Sequence, residues 1–87
     1  MHSGQMIKNA LKAKKGTQLD LATAIGCDQS LISRYFSGTI EVSLGLLVAM
    51  IKHLEINIIE ATTIVEQLRG DKYARAVAKL RTRYNQK

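Results

Sequence analysis

Residues 17–38 read TQLDLATAIGCDQSLISRYFSG, and this stretch decides the fold. Two short helices are punctuated inside it. Thr17 followed by Asp20 is a variant capping box, with Asp in place of the usual Glu. The helix it opens buries Leu21, Ala22 and Ile25, and Gly26 stops it where a left-handed residue is wanted. Asp28 is a good N-cap for a second helix, Gln29 to Phe36, with Leu31 or Ile32 and Tyr35 as core candidates. Ser37-Gly38 closes it. A connection of roughly three or four residues makes two helices cross steeply. Such a crossing needs a small residue where the backbones approach, and Ala22 is placed for that. It also needs apolar pins on both helices, which Leu21, Ile25, Cys27, Ile32 and Tyr35 supply.

Working outward, the spacing predicts helices on both sides. An earlier helix runs from about Ser3 to Lys14, with Met6, Ile7, Ala10 and Leu11 at helical spacing and Gly16 as its stop. Ser43 caps a helix carrying Leu44, Leu46, Leu47, Val48, Met50, Ile51 and Leu54. Apolar residues nearly all round predict the central, most buried helix. Asn57 with Glu60 starts the next, which carries Ile58, Ala61, Ile64, Val65 and Leu68. Gly70 is expected to end it and Asp71 to cap a sixth, in which Tyr73, Val77, Leu80 and Tyr84 form a narrow apolar stripe. The expected fold is all-α, five to six helices, with residues 1–55 as the reading module and 56–87 as C-terminal oligomerisation helices and basic tail.

With 87 residues, 46% hydrophobic and 23% charged, the chain suits one small folded domain. No apolar run approaches the roughly 20 residues that span a bilayer, and Met1-His-Ser-Gly-Gln lacks the layout of a signal peptide. A single cysteine, Cys27, forms no internal disulfide, and it reads as a small buried hydrophobe. A cytoplasmic location is expected. His2 and His53 have no companions at ligand spacing, so no metal or other cofactor is expected. No nucleophile–base pair or phosphate-cradling glycine loop points to an enzyme.

The net charge is +6, which favours an anionic partner. The surplus sits at the ends: residues 1–16 carry +4 and residues 71–87 carry +5, while 17–54 sum to −1 and 55–70 to −2. Charge alone does not find the central site; geometry does. A steeply crossed helix pair leaves the first turns of its second helix exposed, able to enter a major groove. Gln29 there matches the N6 and N7 of adenine, Ser30 and Ser33 suit a base edge or a phosphate, and Arg34 suits a guanine or a phosphate. Gln18 would lie beside the backbone. The basic end face, Lys72, Arg75, Lys79 and Arg83, reads equally as a solvated surface and as added phosphate attraction.

The ordered set Thr17-Gln18, Leu21-Ala22, Gly26, Gln29-Ser30, Ile32-Ser33-Arg34 and Gly38, followed by Leu44, Leu47 and Leu54, resembles the lambda-repressor-like (Cro/CI, XRE-type) helix-turn-helix regulators of phage and bacteria over about residues 5 to 56. Asp28 to Tyr35 with Ser43 to Met50 is similar to the phage CII-type activators. The resemblance implies a transcription regulator, repressor or activator, that binds a double-stranded DNA operator as a symmetric oligomer. RNA polymerase is a further partner it implies. By position it places Thr17, Gln18, Asp28, Gln29, Ser30, Ser33, Arg34, Ser37 and Thr39 at the DNA, with Thr17 and Gln18 on phosphates and Gln29, Ser30, Ser33 and Arg34 facing bases. The family often has a proline between its third and fourth helices, where this chain has Glu41-Val42; Glu41 and Asp28 would repel phosphate.

The module is complete by about Leu54, so the later amphipathic helices exceed what its core needs. Ile58, Ile64, Val65, Leu68, Tyr73, Val77, Leu80 and Tyr84 are therefore expected at an oligomer interface, dimeric or tetrameric; the other reading of Tyr73, Val77, Leu80 and Tyr84 packs them back on the chain's own core. The alternative is a protein-interaction module that kept the fold, such as an antitoxin or anti-regulator, with its basic end helix on an acidic protein.

Overall fold

A computed structural model describes residues 1–85. Lys87, counted above in the basic end, lies outside the described residues. Within them the chain forms α1 (Ser3–Ala13), α2 (Gln18–Ile25), α3 (Gln29–Phe36), α4 (Leu44–His53) and α5 (Ile58–Asn85), with no strand. The helix starts follow side-chain chemistry. Thr17 Oγ1 accepts from the Asp20 amide at 3.1 Å, Ser43 Oγ from Leu46 at 3.1 Å and Asn57 Oδ1 from Glu60 at 2.9 Å. His2 opens α1, its Nδ1 accepting from the Gln5 amide at 3.3 Å.

One core joins all five helices. Ile7 and Leu11 of α1, Leu21 and Ala22 of α2, Ile32, Tyr35 and Phe36 of α3, Leu47 and Met50 of α4, and Ile64 and Leu68 of α5 are buried together. The first turns of α5 thus complete the core of the module rather than building a second one. Leu31 is half-buried and Ile32 wholly buried, which settles the choice between them.

Three expectations are corrected. First, Gly70 does not end a helix and Asp71 does not start one: α5 runs unbroken for 28 residues. Asp71 spends its carboxylate elsewhere, accepting from the Ser3 backbone amide at 2.8 Å and from Gln67 Nε2 at 2.9 Å. An acid inside a helix can serve the first turn of a neighbour, whose amides lack intrahelical partners.

Second, α4 is not the most buried helix. Leu47 and Met50 are enclosed, but Leu44 is 46% exposed and Val48 37%. The helix packs on α2 and α5 and leaves one apolar strip uncovered within a single chain.

Third, α1 does not use Gly16 as its left-handed stop. Lys15 takes that conformation (φ 57°), and the Gly16 amide closes on the Leu11 carbonyl at 3.1 Å. Glu55 (φ 53°) plays the same part after α4, where the Ile56 amide closes on Ile51 at 3.1 Å. Gly26, at φ 76°, is left-handed as the turn requires.

Candidate nucleic-acid interface

The α2–α3 unit is held from beneath. Ile32 and Tyr35 are 0% and 1% exposed, and Phe36 lies beside them. The Tyr35 hydroxyl, paired with Ser3 Oγ at 2.7 Å, ties α3 to the start of α1. Burial pushes the Tyr35 phenol up to about 12, with the Asp71 and Glu41 charges adding to the rise and the Ser3 bond opposing it. Burial also raises the Cys27 thiol, helped by the Asp28 charge. Cys27 is half-buried rather than enclosed, packed at the edge of the core.

The outward side of α3 carries the polar residues that the spacing assigns to it. Gln29, Ser30, Ser33 and Arg34 are all exposed. Arg34 folds along the helix, its Nε donating to the Ser30 carbonyl at 3.4 Å, a long bond. Ser37 and Thr39 leave the helix together: their hydroxyls pair at 2.8 Å, and Ser37 Oγ also bonds the Arg34 carbonyl at 3.0 Å. Thr17 is exposed and Gln18 half-buried at the opening of α2. Asp28 stands at the N-cap position of α3 but makes no side-chain cap bond, so its carboxylate remains a negative charge at the edge of this face.

The other acid beside this face is neutralised. Glu41 pairs with Arg75 of α5, at Arg75 Nε, and Arg75 Nη2 donates to the Gly38 carbonyl at 2.8 Å. The loop leaving α3 is therefore pinned to α5. His2 packs against the same loop: a Cβ added at Gly38, itself at φ +81°, would meet its ring at 2.9 Å. Periodicity could not show these links, because each joins residues far apart in sequence.

The expected oligomer residues divide. Ile64 and Leu68 are buried at 0% and 2% in the chain's own core, so they cannot meet a second copy; their role is corrected to internal packing against the other helices. Ile58 is 78% exposed and, with Val65, lines a groove of about 330 Å³ together with Val48, Ile51, Ala61 and Thr62. Tyr73, Leu80 and Tyr84 are exposed and Val77 half-buried. At about 100° per residue, that stripe turns roughly 170° away from the side of α5 that carries Ile64 and Leu68. Among the described residues no His, Cys, Asp and Glu cluster could hold a metal ion, and no helix is long and apolar enough to cross a membrane.

A bundle of five helices with a left-handed glycine turn between its second and third, and a polar face on the third, has the architecture of a helix-turn-helix. A family model described as helix-turn-helix matches residues 7–60. The chain belongs to that family, the XRE-type, lambda-repressor-like DNA-binding regulators, which are typically not enzymes. Comparison with curated proteins and with solved structures found no match.

Proposed function

We propose that the protein is a sequence-specific transcription regulator of phage or mobile-element type, which sets α3 into the major groove of an operator as a symmetric oligomer. One observation carries this reading. The four long or hydroxylated side chains on the outer face of α3 are exposed, while the inner face is locked by Ile32, Tyr35 and Phe36. A rigid helix presenting adaptable polar groups is what base reading requires.

Gln29 and Arg34 are the principal base readers, with Ser30 and Ser33 beside them. Thr17, Gln18, Ser37 and Thr39 contact phosphates on either side, and Asp28 limits how closely the backbone approaches. The uncovered strip of α4, the Ile58–Val65 groove and the Tyr73–Leu80 stripe are available to a second copy. Pairing two modules supplies the base pairs that one alone cannot read. Cytoplasmic DNA is the target, and RNA polymerase is a partner if the protein activates.

The test is selection of bound duplexes from a random pool. Gln29→Ala and Arg34→Ala are each expected to weaken the selected site by about 1–3 kcal/mol and to relax preference at one position. Unchanged preference in both variants refutes the assignment. A mass measurement in solution tests the oligomer, and a monomer at all concentrations refutes that part.

A further inference from the structure

We infer that the flank of α5 carrying Lys72, Lys79 and Arg83 binds phosphates of the duplex outside the bases that α3 reads, so the footprint is longer than the helix-turn-helix itself. This rests on the DNA-binding reading and names a second surface for it. The placement comes from Arg75. Its guanidinium bonds the Gly38 carbonyl and pairs with Glu41, which sets this part of α5 beside the loop leaving α3, next to Ser37 and Thr39. Lys72, Arg75 and Lys79 line one shallow cleft with Glu41.

Positions 72, 79 and 83 fall within about 40° of one another around the helix. Over those eleven steps the helix rises about 16 Å, while a duplex carries one charge per about 1.7 Å of axis. The flank is therefore long enough to meet several phosphates.

The charge balance singles out this flank. Both nearby carboxylates are occupied, Asp71 by the Ser3 amide and Gln67, and Glu41 by Arg75. Among the described residues Lys72, Lys79 and Arg83 form no ion pair, and all three are exposed. Lys79 and Arg83 are like charges one turn apart, which destabilises a helix in the absence of a counter-charge. A polyanion relieves that repulsion.

The experiment uses the full chain and two probes: a duplex recovered by selection from a random pool, and a random-sequence duplex of equal length. Affinity is measured across a salt series. In Lys72→Gln/Lys79→Gln/Arg83→Gln the slope of log K against log salt is expected to fall by about 0.9 for each phosphate that is no longer neutralised, so by about two to three per protomer. Base preference stays as in the wild type, the protected footprint shortens, and Lys72→Arg/Lys79→Arg keeps the full slope. Lys52→Gln/Arg81→Gln removes charge from α4 and from the opposite flank of α5 and should leave the slope unchanged; circular dichroism verifies that both variants fold. A wild-type slope in the triple variant overturns the inference and leaves this flank to an acidic protein. An equal loss per charge in the Lys52/Arg81 control overturns it as well. If Gln29→Ala and Arg34→Ala leave preference intact while the triple variant loses slope on both probes, base reading by α3 fails and the phosphate surface stands.

Discussion

Replacing Gly70 by alanine should stabilise the protein, whereas the same change at Gly26 should destabilise it. Gly70 lies inside α5, between the buried Leu68 and the bonded Asp71, and a Cβ built there meets no atom within 4 Å. Its φ is not positive; only Gly26 and Gly38 are left-handed glycines. Alanine therefore adds helix propensity without a clash, about 0.8–1 kcal/mol. Because position 70 is held between anchored neighbours, that gain enters global unfolding, and in a domain this size it raises Tm by about 4–8 °C. Gly26 also has open space around it but sits at φ +76°. Alanine there meets the left-handed penalty of about 1–2 kcal/mol, partly offset by a stiffer unfolded chain, for a net loss of about 1 kcal/mol. Urea unfolding of the two variants measures both signs. A loss of more than about 0.5 kcal/mol in Gly70→Ala would refute the continuous helix and restore a break at that residue.

Asp71→Ala should cost about 2 kcal/mol by thermal unfolding, since it strips a charged acceptor from the Ser3 amide of a fully buried residue; Asp71→Asn should lose less, because one oxygen remains. The Tyr35 phenol, raised in the folded state to about 12 from its ordinary 10, favours the protonated folded form. Its stabilising contribution is therefore whole below pH 10 and declines as pH rises toward 12, and Tyr35→Phe should show a shallower alkaline loss in the same unfolding series. Asp28→Asn should tighten DNA binding by up to about fivefold at low salt, fading as salt rises, because it removes an unbonded carboxylate beside the duplex; a filter-binding series in which affinity is unchanged places Asp28 away from the backbone.

The part of the fold that is legible from the residues is the part governed by local chemistry. Thr17, Ser43 and Asn57 cap the helices they precede, and Gly26 takes the conformation that the turn demands. Where local signals mislead, tertiary contacts have changed the use of a residue. Gly70-Asp71 has the composition of a stop and a start, yet the carboxylate is drawn to the first turn of α1. Lys15 and Glu55 adopt left-handed conformations that glycine takes most easily, and closing bonds to Leu11 and Ile51 hold their helix ends. The polar face of α3 follows from spacing. The Arg75–Glu41 pair does not, since no periodicity links a loop to a helix that returns to it later.

Three side-chain links, Tyr35 to Ser3, Arg75 to Gly38 and Ser3 to Asp71, join positions 32, 37 and 68 residues apart. Closing such wide loops costs entropy before the bonds return anything, so these links are expected to form last, once the shared core has brought α1, α3 and α5 together. Bonds that form after the folding barrier leave the folding rate nearly unchanged and slow unfolding instead. The knot at Ser3 and Gly38 thus acts as a latch on the lifetime of the reading helix rather than as a guide to its formation, and variants that open it should release α3 sooner while letting it fold as fast as before.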